Sequence, residues 1–291
     1  AWWISKPLDR PATRLNAGQI VFLRKLSRKT WAFFDTFVGP EDNWLPPDNY
    51  QEHSAPVVAH RTSPTNMGLA LLANLSACDF GYISAKRLIE RTEKAFHTME
   101  ALERHRGHFY NWYDTQSLEP LPPRYVSTAD SGNLASHLLT LRPGLLALAD
   151  QEILGPRWVE GLSDTLEILS DIAGGVGEAA SVRIAQIQED LSSASALRPF
   201  GLAATRSRLD GLAASAGELQ GCLDADPGVS ARGAKRWASA LARQCRDALD
   251  EMTFLAPWSV RPAPAGVLRA FPAVDEVPTL RELARFDVAL R

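Results

Sequence analysis

Residues 60–81 read His-Arg-Thr-Ser-Pro-Thr-Asn-Met-Gly-Leu-Ala-Leu-Leu-Ala-Asn-Leu-Ser-Ala-Cys-Asp-Phe-Gly, and this stretch decides the fold class. A serine followed by proline marks a helix start, because the serine side chain accepts from a backbone amide that the first turn leaves free and proline already has the helical φ. Met67, Leu71, Leu72 and Leu75 then follow at helical spacing. The stretch therefore predicts a capped helix that ends near Gly81.

Similar start and stop signals flank this helix on both sides. Asn16 is placed to cap a first helix that runs to about Val38, with Gly39 as its stop. Ser84 starts another helix, whose apolar residues keep helical spacing up to Gly107. The chain up to this point is therefore predicted to be helical, apart from its loops.

A fourth helix follows the second long loop. Asp130 or Ser131 is expected to cap it, and Pro143 with Gly144 is expected to kink or break it. The long loops therefore precede the second and fourth helices and lead into their N-termini. Alternating long and short connections are typical of an all-α, partial (α/α) toroid, in which one rim carries the site.

The second half of the sequence differs in kind. It is rich in Ala, Leu, Arg, Glu and Ser, contains neither His nor Tyr after Leu138, and predicts an additional bundle of long helices. The predicted helices cover residues 158–172, 176–197, 201–223 and 230–255. A proline-rich loop then leads to a last helical pattern from Leu280. Because the chain starts without Met and ends inside that pattern, we interpret it as a piece of a longer polypeptide.

Composition fits a globular protein with a sizeable core. The 291 residues are 45% hydrophobic, and the net charge of −3 argues against a general nucleic-acid binder. No run of eighteen apolar residues occurs, so the sequence predicts no membrane-spanning helix. Three widely spaced cysteines indicate reduced thiols in a cytosolic compartment, and Cys78 is expected to be a small core residue.

Charge is concentrated at the N-terminus. Residues 1–31 carry seven Lys and Arg against one Asp, a net charge of +6. Preceded by Trp2 and Trp3, this segment is either a solvated basic helix face or the cytoplasmic edge of a membrane, where tryptophans sit at the interface and basic residues stay inside. Both interpretations stay open at this point.

All five tyrosines and all six histidines lie between Gly39 and His137. The densest run is Arg-Gly-His-Phe-Tyr-Asn-Trp-Tyr-Asp-Thr, residues 106–115. Aromatic rings can cover the apolar faces of sugars while Asn, Asp and Arg satisfy sugar hydroxyls. This block is therefore predicted to hold a carbohydrate cleft, and the second half to be scaffold.

Five strings in this block carry a resemblance to a known family. They are Asn-Trp-Leu-Pro-Pro-Asp-Asn at 43–49, His-Arg-Thr-Ser-Pro-Thr-Asn at 60–66, the aromatic run at 106–115, Pro-Arg-Tyr-Val-Ser-Thr at 123–128 and Asp-Ser-Gly-Asn-Leu at 130–134. In this order they resemble the glucoamylase-like middle region of bacterial cyclic β-1,2-glucan synthases. The resemblance covers about ninety residues and extends more weakly to both ends.

The resemblance implies a part of a large inner-membrane enzyme. In that family a processive glycosyltransferase makes linear β-1,2-glucan from UDP-glucose, the middle region is associated with cyclisation by transglycosylation, and a phosphorylase-like region adjusts chain length. The implied partners are β-1,2-glucan, the other domains of the same synthase polypeptide and the inner-membrane surface near the N-terminus. The implied location is the cytoplasmic side of the bacterial inner membrane. No nucleic acid and no cofactor are expected.

The sequence departs from the family in one respect. A retaining transglycosylase needs two carboxylates about 5 Å apart. In the family the glutamates assigned to this work lie in later motifs, one beside a Met-Phe pair and one in an Ile-Ser-Glu-Ser-like string, and neither motif occurs here. We therefore expect the chain to hold the first part of the barrel and its binding loops without the catalytic pair. The alternative is a non-catalytic helical scaffold or carbohydrate-binding module that links the membrane glycosyltransferase to the phosphorylase-like domain.

The predicted substrate-binding residues are all taken from these loops and helix starts. They are Asp48, Asn49, Arg61, Thr62, Ser63, Asn66, Asn111, Trp112, Tyr113, Asp114, Arg124, Asp130, Ser131 and Asn133.

Several of these residues have two interpretations. Asp114 is either a sugar ligand, and then a candidate catalytic carboxylate, or a loop cap; Asp130 has the same ambiguity with an N-cap. Trp112 and Tyr113 are sugar platforms or core residues. His105 and His108 have a spacing compatible with a metal, but no third ligand is evident, so no metal site is predicted.

We predict four segments along the chain. Residues 1–38 form a basic juxtamembrane segment and the first helix, and residues 39–150 form the glucan-binding part of the barrel. Residues 151–257 form the long-helix bundle, and residues 258–291 form the proline-rich loop and the start of a further helix.

Overall fold

The computed structural model describes residues 15–52, 55–155, 157–174, 176–196, 201–225, 231–261, 266 and 275–290. Within them the α-helices are α1 Ala17–Phe37, α2 Pro64–Asp79, α3 Ala85–Ala101, α4 Thr128–Leu148, α5 Arg157–Ile172, α6 Glu178–Ala196, α7 Leu202–Asp224, α8 Ala231–Leu255 and α9 Leu280–Leu290. Two 3-10 turns cover Pro40–Asp42 and Pro257–Val260. The predicted all-α class is confirmed. Trp2 and Trp3, for which one interpretation was a position at the membrane interface, lie outside the described residues.

The strands of the described residues are two residues long and lie in the loops. They are β1 Tyr50–Gln51, β2 Val57–Val58, β3 Arg61–Thr62, β4 Arg104–His105, β5 His108–Phe109 and β6 Tyr113–Asp114. They pair antiparallel as β1 with β2, β3 with β6, and β4 with β5. The pair of β3 and β6 joins the two long loops, because its strands are far apart in sequence.

Helix starts follow the predicted capping chemistry in three places. Asn16 and Gln19 form a reciprocal capping box on α1, Ser63 accepts from the amide of Asn66 on α2, and Ser84 accepts from that of Arg87 on α3. Each cap satisfies an amide that the first helical turn leaves free. The sequence therefore located these three helix starts correctly.

Two local predictions are wrong, and a third is wrong in part. Ser127 caps α4, and Asp130 occupies its first turn instead. Of the kink or break predicted at Pro143, the break does not occur, because α4 continues to Leu148. The helix α3 ends at Ala101, and Gly107, with φ of 87°, forms the turn between β4 and β5. A glycine there suits the left-handed backbone, so its role is a hairpin turn rather than a helix stop.

The helices α2 and α4 pack unusually close together. A β-carbon at Gly68 would lie 2.3 Å from Nδ1 of His137, and one at Gly144 would lie 2.3 Å from a δ-carbon of Leu75. Because glycine has no side chain, Gly68 and Gly144 let the two helices approach more closely than any other residue would at these positions. Because Ser63 and Ser127 begin these two helices, the close packing contributes to bringing their N-termini to one rim.

The bundle of long helices is present as predicted. The helices α5, α6, α7 and α8 enclose a core of leucine, isoleucine and alanine side chains that includes Leu169, Ile187, Leu209 and Leu241. A second core lies beneath the loops and is built from α2, α3 and α4, with Leu45, Met67, Met99, Tyr113 and Leu134 among its members. Each half of the described chain therefore has its own apolar interior.

The helix α8 also supports the first half. The buried Glu251 carboxylate accepts from the backbone amide of Lys86 at 2.6 Å, at the start of α3. Burial raises the pKa of Glu251. The side chain of Gln244 donates to the carbonyl of Gly81 at 2.8 Å. One helix of the bundle thus satisfies backbone groups at the turn between α2 and α3.

The basic face of α1 packs against acidic residues of α5. Arg24 pairs with Glu160 and Asp164, and Lys25 pairs with Glu167 and Asp171.

Arg28, on the same face, is 2% exposed and lies between the rings of Tyr82 and Trp237, 5.3 and 4.9 Å from their centres. Burial lowers the pKa of Arg28 to about 10. The interpretation as a solvated basic face is therefore wrong for Arg24, Lys25 and Arg28. Two of these cations pair with carboxylates of α5, and the third is buried between aromatic rings.

Candidate functional site

The site is organised around the paired strands β3 and β6. Arg61 lies opposite Asp114, and Thr62 lies opposite Tyr113. Side chains alternate between the two faces of a strand, so one pair points inward and the other outward. Thr62 and Tyr113 are fully buried, whereas Arg61 is exposed and Asp114 is partly exposed. Two predicted site residues, Arg61 and Asp114, are thus brought to one outer face.

Asp48 is the polar centre of one side of this face. Its carboxylate accepts from the Arg61 guanidinium at 3.0 Å and from the Asn49 side chain at 3.1 Å. It also accepts from the Asn66 side chain at 3.2 Å, in the first turn of α2. Asp48 is therefore held by the loop, by β3 and by a helix N-terminus.

Arg61 connects this carboxylate to the aromatic run. Its guanidinium lies over the ring of Trp112, 5.0 Å from the ring centre, while it donates to Asp48. A guanidinium over an indole face is a favourable cation–π arrangement. The contact fixes the orientation of Trp112, which is partly exposed.

Asn111 joins the aromatic run to the start of α4. All its contacts are satisfied when the amide nitrogen donates to Asp130 Oδ2 at 2.9 Å and the amide oxygen accepts from Trp112 Nε1 and Tyr125 Oη, each at 2.7 Å. Asn111 is 6% exposed. A buried amide thus fixes the polar ends of two aromatic side chains.

Asp130 closes the network between α2 and α4. Its carboxylate accepts from the hydroxyl of Thr65 at 2.6 Å and from that of Ser127. The side chain of Asn133 donates to the same Thr65 hydroxyl at 3.0 Å. A chain of polar contacts therefore runs from Asp48 through Arg61, Trp112, Asn111 and Asp130 to Asn133. We refer to these six residues, with Thr65, as the rim network.

Asp114 makes the contacts of a turn cap. One carboxylate oxygen accepts from the backbone amides of Gln116 and Ser117, at 2.9 and 2.8 Å. The Ser117 amide is the largest cause of a lowered pKa for Asp114. The carboxylate is therefore ionised at neutral pH and is a poor proton donor there. Asp114 therefore caps its loop, which was one of the two interpretations. It also lies opposite Arg61 on the outer face of the strand pair.

Other predicted site residues lie elsewhere. Thr62, Ser63 and Tyr113 are buried, and the Tyr113 hydroxyl donates to the Glu103 carbonyl at 2.7 Å, so Tyr113 is a core residue. The Ser131 hydroxyl donates to the Ser127 carbonyl within its own helix. Arg124 pairs with Glu103 and lies over Tyr110, outside the rim network. Ser63, Tyr113, Arg124 and Ser131 thus have structural partners, whereas the buried hydroxyl of Thr62 has no hydrogen-bond partner among the described residues.

Beneath the strand pair lies a cluster that the sequence interpretation missed. The buried Asp42 carboxylate contacts Nδ1 of His60 at 2.7 Å and accepts from the hydroxyl of Thr115, which is also buried. Asn43 donates to the carbonyl of Thr115 at 2.9 Å. The cluster connects the 3-10 turn to both strands and so supports Arg61 and Asp114 from below.

Thr65 and Tyr125 were also missed, although both lie in strings quoted above. His105 and His108 are register partners in the hairpin of β4 and β5. Among the described residues, no group of three or more His, Cys, Asp or Glu side chains is arranged to hold a metal ion.

The two cavities found in the described residues lie away from the rim network. One, of about 360 Å³, is lined by Ile83, Leu148, Trp158, Ala248 and Glu251, between the first half and the bundle. Cys78 borders it, and burial raises the pKa of this thiol to about 12. The second, of about 550 Å³, lies between α1, α5 and α6. The residues of the rim network line neither of these two cavities.

Fold and site together define an all-α protein whose helix N-termini carry a polar and aromatic rim. Over 142 residues, 48% of this chain, the sequence is 45% identical to the cyclic beta-(1,2)-glucan synthase NdvB of Rhizobium meliloti (strain 1021). The resemblance seen in the sequence is confirmed by this identity. The match covers 5% of that synthase, so the chain corresponds to a small part of its relative's length.

The chain was also compared with protein-family models and with solved structures. No family model matches the chain. A solved glucoamylase-like protein from Bacteroides fragilis NCTC 9343 is 19% identical, with a TM-score of 0.32, over 60% of this chain and 35% of that one. Within the described residues, no helix is both long enough and apolar enough to cross a membrane.

Proposed function

We propose that this chain is part of a transferase of cyclic β-1,2-glucan biosynthesis, and that the rim network binds a linear β-1,2-glucan chain for cyclisation by transglycosylation. The identity with a cyclic β-1,2-glucan synthase supports a role in glucan synthesis. The rim network supports the location of the glucan site.

The observation that carries the proposal is the continuity of the rim network. The Arg61 guanidinium lies over the partly exposed ring of Trp112 and donates to the Asp48 carboxylate, while Asn111 connects the same indole to Asp130. Sugars present hydroxyls around the ring edge and C–H groups on the ring faces, so they need polar groups and an aromatic face together. Because its members hold one another, the network loses little side-chain freedom when a sugar binds.

Trp112→Ala is expected to weaken binding of linear β-1,2-glucan about fivefold or more, since a lost ring contact is worth about 1 kcal/mol. The loss also leaves Arg61 without the ring beneath it. Calorimetric titration of the full chain with the oligosaccharide measures the change. Phe254→Ala, in an exposed position on α8, is the matched control and should bind as the unchanged chain does. A Trp112→Ala chain that is folded and binds with unchanged affinity contradicts the proposal.

The chain alone is expected to form no cyclic product and no hydrolysis product from β-1,2-glucan. The three carboxylates at the rim are engaged, Asp48 by Arg61, Asp130 by two hydroxyls and Asp114 by backbone amides. Proton transfer and nucleophilic attack need two available carboxylates about 5 Å apart. Mass spectrometry of the products after incubation with linear β-1,2-glucan tests this. A cyclic product that disappears in an Asp114→Asn variant would make Asp114 catalytic and overturn the expectation.

We also propose that the chain works within a longer synthase polypeptide, beside its other domains, on the cytoplasmic side of the bacterial inner membrane. The small share of the relative that is matched supports the first part. Apart from the three cations held by α5 and the buried rings, residues 1–31 carry Lys6, Arg10, Arg14 and Lys29 against Asp9, and this net charge of +3 supports apposition to an anionic surface. Ile20 and Phe22, in the first turns of α1, are also exposed. Recovery of the parent protein free of the membrane fraction would exclude this location.

A further inference from the structure

Most aromatic rings around the rim are already covered. Trp112 lies under Arg61, Phe109 under Arg104 at 4.4 Å, Trp44 under Lys94 at 4.3 Å, and Tyr110 under Arg124 at 5.9 Å. Tyr113 is fully buried. Each of these rings has at least one face occupied by another side chain or is out of reach of solvent.

Tyr125 differs from all of them. Its side chain is 46% exposed, and among the described residues no aromatic ring or cation is stacked on it. Single exposed apolar residues are common on protein surfaces and by themselves indicate nothing. Exposure alone therefore does not distinguish Tyr125 from a solvated surface residue.

Both the side chain and the backbone of Tyr125 are hydrogen-bonded to Asn111, and this distinguishes Tyr125 from a solvated surface residue. The Tyr125 hydroxyl donates to the Asn111 amide oxygen at 2.7 Å, and the Tyr125 carbonyl accepts from the Asn111 backbone amide at 2.8 Å. Asn111 is buried and also bound to Asp130. A tyrosine held in this way keeps its ring faces in one orientation before any ligand arrives, so stacking costs little conformational entropy.

The same amide oxygen sets the relation between two rings. It accepts from Trp112 Nε1 and from the Tyr125 hydroxyl, each at 2.7 Å. The polar ends of both side chains therefore converge on one atom, and their apolar parts extend away from it. Two rings with fixed polar ends and separate faces can contact successive sugar units of one chain.

We propose that Tyr125 is a second stacking platform, which contacts the glucosyl unit next to the one at Trp112, and that Asn111 is the positioning residue that sets the two rings. This inference rests on the proposed glucan binding. It adds Tyr125 to the proposed glucan site. It also requires a ligand that extends over more than one sugar unit.

The test is calorimetric titration of the full chain with linear β-1,2-glucan oligosaccharides of increasing length. Tyr125→Ala is expected to lower affinity about fivefold for long oligosaccharides and to have little effect on the shortest one that binds. Tyr125→Phe keeps the ring but removes the hydroxyl contact with Asn111, so its affinity should lie between those of Tyr125→Ala and the unchanged chain. Phe22→Ala, which removes an exposed ring from α1, is the matched control and should be without effect. Circular dichroism checks that each variant is folded.

The outcomes separate the two proposals. If the unchanged chain binds and Tyr125→Ala binds equally well at every length, Tyr125 is not a platform, while the proposed glucan binding stands. If Tyr125→Phe loses as much affinity as Tyr125→Ala, the ring adds nothing without its hydroxyl and the stacking role is overturned. If Tyr125→Phe binds as tightly as the unchanged chain at every length, the contact with Asn111 does not set the ring and the positioning role of Asn111 is overturned. If the unchanged chain binds no oligosaccharide of any length, both proposals fail.

Discussion

A Gly161→Ala variant is expected to lose about 3 kcal/mol of unfolding free energy. A β-carbon at this position of α5 would lie 2.2 Å from the carbonyl oxygen and 2.5 Å from the carbonyl carbon of Gly81. Both are backbone atoms in a turn whose own φ is 74°, so neither can rotate away as a side chain would. Overpacking against rigid atoms costs about 1–3 kcal/mol, and here it outweighs the gain in helix propensity.

Urea denaturation followed by circular dichroism measures this loss. Gly211→Ala is the matched control, because it lies within α7 and a β-carbon there would meet nothing within 4 Å. That variant should gain about 0.5–1 kcal/mol from helix propensity alone. Equal stability of Gly161→Ala and the unchanged chain would show that α5 does not pack on the Gly81 turn as closely as described.

Arg28→Ala is expected to lower the free energy of unfolding by about 3 kcal/mol, and Arg28→Met is expected to lower it much less. The arginine fills space between the Tyr82 and Trp237 rings, so truncation leaves a cavity. Its Nε donates to Thr165, but its Nη1 has no hydrogen-bond partner among the described residues. Replacing a poorly paired buried charge by an apolar side chain of similar length is often neutral.

The same urea titration compares these variants. Lys29→Ala serves as control, because Lys29 is the next residue of α1 and is exposed. It should change stability by less than about 0.5 kcal/mol. If Arg28→Met is as unstable as Arg28→Ala, the charge itself stabilises the fold, and packing is the wrong account.

Most helix starts, and the extents of α5 to α8, could be predicted from sequence because their signals are local. Asn16, Ser63 and Ser84 each cap the helix they precede. The cap of α4 was missed since Ser127, Asp130 and Ser131 all qualify by residue type, and only the backbone decides between them. Pro143 lies inside α4 without ending it, and residue type alone does not decide between a kink and a break.

The candidate site was predicted in outline but not in detail. Arg61 and Asp114 are brought together by the strand pair, and Asp48 and Asp130 belong to the same rim network. Thr62 and Tyr113 face inward because strands alternate, and two-residue strands leave no alternation pattern in a sequence. The neutralisation of the α1 charges by α5 was equally invisible, since the partners are more than 130 residues apart.

The contacts that α8 makes with the turn before α3 limit how this chain can be shortened for expression or crystallisation. A version that stops before the bundle would leave the backbone amide of Lys86 and the carbonyl of Gly81 without the Glu251 and Gln244 side chains that now satisfy them. It would also remove the acidic face of α5 from the cations of α1. The helices α6 and α7 pack chiefly within the bundle, where their side chains complete the core that also covers α5 and α8. A trimmed protein that keeps the rim network therefore has to retain the whole bundle from α5 to α8.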